Sequence, residues 1–256
     1  MTPSKIPALL LCFGLISLTA SISIGASDQR SLDHKIKQAR EASKEGHYKE
    51  SERLYLEALQ ILQAAFGPEP RTIEKIYRSL GADYFNEGNF HEAEKYFRQA
   101  LLIQKEYDAD SRMVAVNLGN LASSLLLQGK LKESEPLIQE SLSIFNDDPK
   151  PNPVLKAFAI ENLAGLRYEQ GDDSSAERLY KEELDLLESA LGPDNPLLTG
   201  SLHGLARLYT RQRNFVQAEK YFTRVMEINN GSNAKGYFQN KLQEDYADFL
   251  KRKETR

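Results

Sequence analysis

The chain has 256 residues, 33 of them basic and 37 acidic, with a formal net charge of −4. At 41% hydrophobic and 27% charged it holds the apolar material of an ordinary globular protein. The acidic balance argues against the basic stripe of a general nucleic-acid binder, and one cysteine, Cys12, excludes a disulfide framework and a Cys-based metal site.

The first segment carries no charge from Ile6 to Ile24. Its most apolar stretch, Ala8 to Leu18, has the length of a signal-peptide core rather than of a membrane span of about 20 residues. Small residues follow at Gly25, Ala26 and Ser27, and Asp28 is the first acid. Residues 1–26 therefore read as an export signal cleaved near Ala26, which places the mature chain in a periplasm or outside the cell. The alternative is an uncleaved membrane anchor, because Ile6 to Ala26 just spans a thin bilayer. Cleavage removes Cys12 and one lysine, so the mature protein has no thiol and relies on packing for stability.

From residue 30 to 230 the sequence repeats. A loop glycine recurs as Gly46, Gly88, Gly129 and Gly171, with Arg213 in the fifth copy, at steps of 42, 41, 42 and 42 residues. Five residues after it stand Ser51, Ala93, Ser134, Ala176 and Ala218, all small, each followed by an acid: Glu52, Glu94, Glu135, Glu177 and Glu219. Four residues after the small column come Tyr55, Phe97, Ile138, Tyr180 and Phe222, then Leu59, Leu101, Leu142, Leu184 and Met226. That i, i+4, i+8 spacing marks one apolar face of a helix. Before the loop, the pairs Leu80-Gly81, Leu121-Ala122, Leu163-Ala164 and Leu205-Ala206 mark a second helix, while the first copy is polar there, at Gln38-Ala39. The acid column, near a helix start, suits the helix dipole and reads as structural.

The spacing predicts helices over 31–45 and 48–65, 71–87 and 90–106, 110–128 and 131–145, 154–170 and 173–190, and 196–212 and 215–229. Turn signals at 66–70, 146–153 and 191–196 separate the units. Pro136 falls early in a second helix, where the unpaired amides of the first turn lessen its cost. Residues 234–256 form a capping helix, Tyr237 to Lys251, with Tyr246, Phe249 and Leu250 turned inward and a charged tail. The sequon Asn230-Gly231-Ser232 lies in the loop before it.

These columns resemble the tetratricopeptide repeat, best in "SLGADYFNEGNFHEAEKYFRQALLIQ", residues 79–104. The period is about eight residues longer than the usual 34. This long form, with "ALGPDNP" linkers and "AEKYF" or "SEPLIQ" helices, is similar to the kinesin light chain subfamily. The resemblance implies an all-α fold: a right-handed superhelical solenoid of five helix-turn-helix repeats plus a C-terminal capping helix. It also implies a concave groove, lined by the first helix of each pair, that takes extended or helical peptide segments. Kinesin light chains are cytosolic, so with an export signal present only the binding mode carries over, not the motor-adaptor role.

By the same register, the groove positions include Arg40 in the first copy, Arg78 and Phe85 in the second, and Asn120 and Leu126 in the third. Asn162 and Tyr168 come from the fourth, and His203 and Arg207 from the fifth, with Arg211 beside them. Asn120 and Asn162, in "GNLA" and "ENLA", match the subfamily's "NNLA" pattern. An Asn amide donates to a carbonyl and accepts from an N–H, so it holds a peptide backbone without reading side chains. Arg40, Arg78, Arg207 and Arg211 suit a carboxylate.

His34, His47, His91 and His203 stand in different repeats, and no pair has the i, i+4 spacing of a helical zinc site. There is no glycine-rich phosphate loop and no Gly-x-Ser-x-Gly elbow. The sequence thus reads as a non-catalytic, monomeric interaction scaffold without cofactor or metal. Its expected partner is a protein or peptide, not nucleic acid, and a membrane only if the N-terminal segment is retained. A permanent structural subunit of an envelope or secretion assembly is the alternative.

Overall fold

The computed structural model describes residues 26–65, 69–107, 111–229 and 236–255. Residues 1–25, where the export signal is expected, and the sequon at Asn230 lie outside the described residues. Eleven α-helices are present among them: α1 Ala26–Lys44, α2 Tyr48–Ala65, α3 Pro70–Asn86, α4 Phe90–Tyr107, α5 Ser111–Leu127, α6 Leu131–Asp147, α7 Pro153–Glu169, α8 Asp173–Leu191, α9 Thr199–Arg211, α10 Phe215–Asn229 and α11 Tyr237–Glu254. A 3₁₀ turn, Pro196–Leu198, leads into α9. The odd and even helices pair as five hairpins, α1/α2 to α9/α10.

Each hairpin turns in the same way. His47, Asn89, Lys130, Asp172 and Asn214 donate their backbone N–H to the carbonyls of Ala42, Tyr84, Leu125, Arg167 and Tyr209 at 2.8–2.9 Å. This six-residue closure is the Schellman ending of a helix, and it requires a left-handed residue at the loop position. The four loop glycines have φ from 75° to 82°, and Arg213 is held there at φ 57°.

The sequence columns become the core. Ser51, Ala93, Ser134, Ala176 and Ala218 are fully buried, so a neighbouring backbone approaches closely, and Tyr55, Phe97, Ile138, Tyr180 and Phe222 fill the space beside them. Ala39 is fully buried although its neighbours in the first copy are polar. Two inward assignments fail: Met226 and Leu250 are each 40% exposed, because the neighbours Val225 and Phe249 take the buried places. Pro136 stands in the second turn of α6, past the unpaired amides, and is exposed.

First helices of successive repeats touch one another, α3 with α5, α5 with α7 and α7 with α9, whereas second helices share no comparable contact. The first helices therefore crowd together on the inner side of the arc and the second helices splay outside. The last helix, α11, packs on α9 and α10 as a cap but also reaches α3. Its Tyr237 ring meets Phe90 edge-on at 4.9 Å. Gly236, at φ 120°, lies so close that a Cβ there would stand 2.8 Å from the Tyr48 hydroxyl and 3.0 Å from the Asn86 carbonyl. The helix thus runs from the second repeat to the fifth.

Candidate functional site: the inner face of the first helices

Contacts between neighbouring first helices are polar. Between α3 and α5, the Asn117 amide donates to buried Glu74 at 2.9 Å, and Arg78 Nε donates to the same oxygen at 3.1 Å. Between α5 and α7, the Asn162 carbonyl oxygen accepts from the Ser123 hydroxyl at 2.6 Å while its NH₂ donates to the Gly119 carbonyl at 3.2 Å. Of the expected groove residues, Asn162 thus joins two repeats, while Arg78 braces, from the same helix, the Glu74 carboxylate that Asn117 reaches from the next repeat.

Asn120 differs. Its side chain forms no hydrogen bond among the described residues, and it opens on a cavity of about 230 Å³ between α5 and α7. Asn162, Ser123, Phe158 and Glu161 share that cavity, and the Phe158 ring is 37% exposed. The sequence-derived pair Asn120 and Asn162 is therefore brought together, but only Asn120 has its amide available.

A second group converges where α7 and α9 meet. The Tyr168 ring lies 3.7 Å from the Arg211 guanidinium carbon and 4.6 Å from that of Arg207. Arg211 is tied down by the Tyr168 carbonyl at 2.8 Å and by Asp173. On the far side, His203 Nε2 and Arg207 Nε stand 3.0 and 3.2 Å from one oxygen of Asp245, on α11, and Lys241 reaches its other oxygen at 3.1 Å. Burial alone would raise the Asp245 carboxyl, but His203, Arg207 and Lys241 outweigh it and hold it below the usual range. Burial pushes the His203 imidazole down, against the pull of Asp245.

The remaining expected residues stand apart. Phe85 packs edge-on against Phe90 at 5.3 Å, and Leu126 fills the space over Gly165 in the core. Arg40 is exposed on α1, beside Tyr55.

Three further residues stand near the groove: Glu161 by the same register, Tyr180 from the large apolar column, and Glu183, which was not expected there. Glu183 is fully buried with both carboxyl oxygens unpaired, and Glu161 lies beside it, its carboxyl against Gly200. Burial raises Glu161 to about 7 and drives Glu183 upward, reinforced by the charge of Glu161. Tyr180 packs on Gly204, where an added Cβ would lie 2.5 Å from the ring. The signal for Glu183 was legible: the column before the Leu/Met position reads Ala58, Ala100, Ser141, Glu183 and Val225.

Models of the tetratricopeptide repeat match residues 72–147 and 156–230, and a second such model matches 39–71. The chain belongs to the tetratricopeptide-repeat family. No curated protein matches it. Among solved structures, it is similar to BtubC (BKLC) from P. vanneervenii, 23% identical, with 83% of this chain and 92% of that one covered at a TM-score of 0.59. A kinesin light chain-type protein from Podosopora anserina with nearly identical TPR-like repeats is 19% identical, over 81% and 98% of the two chains, at 0.58. The Rap conjugation gene regulator of plasmid pLS20, solved in complex with the Phr* peptide, is 14% identical at 0.68, over 86% of this chain but only 60% of the regulator. At these identities the likeness establishes a shared fold.

Proposed function

We propose that the protein is a non-catalytic interaction scaffold that holds a segment of a partner protein in its concave groove, centred on the cavity between the third and fourth repeats. The carrying observation is Asn120, whose amide is unengaged at the mouth of a cavity walled by the exposed Phe158 ring. An amide so placed pairs with both groups of a peptide bond, and the ring supplies apolar area beside it. The peptide in the pLS20 regulator complex supports a groove of this fold as a peptide seat. The uncharged N-terminal segment supports action outside the cytoplasm.

The test is affinity capture of the tagged mature chain, residues 27–256, from its native extract, alongside an Asn120→Ala/Phe158→Ala variant. Specific partners lost by the variant, with an unchanged circular-dichroism melt, are expected. A capture profile identical for the two proteins overturns the reading.

A further inference from the structure

The fifth-repeat group has the geometry of a carboxylate receptor: Glu169 of α7 comes only to 3.6 Å from Arg207, and the closer carboxylate, at 3.2 Å, belongs to another element. Tyr168, from α7, carries the Arg207 guanidinium on its face. His203, 5% exposed, comes from α9, one turn before Arg207. Two cationic or donor groups converging in a half-buried place require an anion, because desolvated donors left unpaired are costly. The anion is Asp245, and it comes from α11.

The attachment of α11 is slight beside that of the other helices. Only Leu242 and Phe249 are buried along its length. Its other contacts are ring edges and charges, among them Tyr237 on Phe90 at 4.9 Å, Phe238 on His203 and Tyr246 on Phe222 at 5.3 Å, Lys253 on Glu219 at 2.7 Å, and Asp245 on the basic pair. An acidic side chain between aromatic neighbours, on a helix laid against the inner face, is how a bound helix engages a groove.

We infer that His203 and Arg207 form a binding site for an acidic helical segment of a partner protein with an aromatic residue two turns before its carboxylate and others within one turn after it. The chain's own C-terminal helix fills this site in cis through Asp245. A partner helix of the same chemistry takes the place of α11. The inference rests on the groove reading above but concerns a different part of the groove, so the two fail separately: Asn120 tests the cavity between the third and fourth repeats, and Arg207 tests this site.

The experiment uses the full mature chain, the same chain with Asp245→Lys, and a fluorescein-labelled synthetic peptide of residues 236–255 read by fluorescence anisotropy. The charge reversal sets an ammonium group against Arg207 and opens the site. The peptide is expected to bind the Asp245→Lys chain at least about tenfold more tightly than the unaltered chain, whose own helix competes. Adding Arg207→Ala to the protein, or replacing the peptide's aspartate by asparagine, removes that gain. Equal binding to both chains, binding indifferent to Arg207, or no binding by a variant with a normal melt overturns the inference. So does an Asp245→Lys chain that elutes as a dimer, since a second copy's helix then holds the seat. Should the variant fail to fold, hydrogen exchange on the unaltered chain decides: residues 237–254 exchanging at least about tenfold faster than α9 supports a displaceable helix. Equal protection overturns it.

Discussion

The Tyr209 hydroxyl donates to the Glu177 carboxylate at 2.7 Å, joining the second helix of the fourth repeat to the first helix of the fifth. The same join recurs along the solenoid. Tyr84 donates to Glu52, Gln128 and Lys130 to Glu94, Arg167 to Glu135, and Lys253 of α11 to Glu219. An acid at one register position is thus met, in every unit, by a donor from the element that follows. The column reads in the sequence as a helix-start preference and works in the fold as an inter-repeat staple.

Glu94 gives the staple its clearest test. Its partial burial opposes ionisation, but Lys130, Gln128 and Arg98 outweigh that and hold its pKa at about 2. A carboxyl lowered on folding stabilises the protein above its unfolded value, near 4.5, and that contribution is lost as the pH falls towards 2. Glu94→Gln should therefore cost about 1–3 kcal/mol at neutral pH. It should also flatten the fall in stability between pH 4.5 and 2, as read by urea melts across that range.

Glu161 should do the reverse. Burial raises it from 4.5 to about 7, so the folded protein keeps a proton that the unfolded chain has released. The contribution of Glu161 is greatest below pH 4.5 and is lost as the pH rises through 7. Glu161→Gln should abolish that decline and melt higher than the parent at about pH 8. A parallel pair of profiles would place the pH dependence elsewhere.

The loop position of the fifth repeat carries avoidable strain. Arg213 sits at φ 57°, where its four counterparts are glycine, and a left-handed side chain costs about 1–2 kcal/mol. Arg213→Gly should gain about 1 kcal/mol after the entropy of the added glycine is set against it, seen as a raised melting temperature with unchanged helicity.

The two asparagines should part company. Asn162→Ala breaks the bonds to Ser123 and Gly119 and should cost about 1 kcal/mol. Asn120→Ala removes no hydrogen bond and should stay within about 0.5 kcal/mol of the parent. Equal losses would make Asn120 structural as well.

Gly204→Ala should be the most damaging small change, at about 1–3 kcal/mol, because the new methyl enters the buried Tyr180 ring. Tyr180→Leu in the same chain should recover part of the loss, and an additive double mutant would refute the contact.

The helices and their pairing were legible because the loop glycine fixes the register and everything within a repeat follows from it. Contacts one repeat apart were half legible. The Glu column shows the acid, while its donor is Tyr84, Arg167 or Tyr209 at one position and Gln128 and Lys130 at others, so no residue type marks it. The groove list was read by register alone, which gives the face of a helix but not what the neighbouring helix spends on it. Hence Arg78 and Asn162 counted as free and Leu126 as exposed. The reach of α11 back to Phe90 left no trace, because a contact between residues 90 and 237 has no period. Nor does alternation show that Leu250 and Met226 yield their inward places to Phe249 and Val225.

In an open solenoid each repeat holds only its neighbours, so an end repeat frays at little cost to the others. Here Tyr237 on Phe90 and Asp245 on Arg207 string one helix between the second repeat and the fifth, as a cord is strung across a bow. The curvature of the arc and the seating of that helix are then a single mechanical variable. Slackening at either end widens the groove along its whole length.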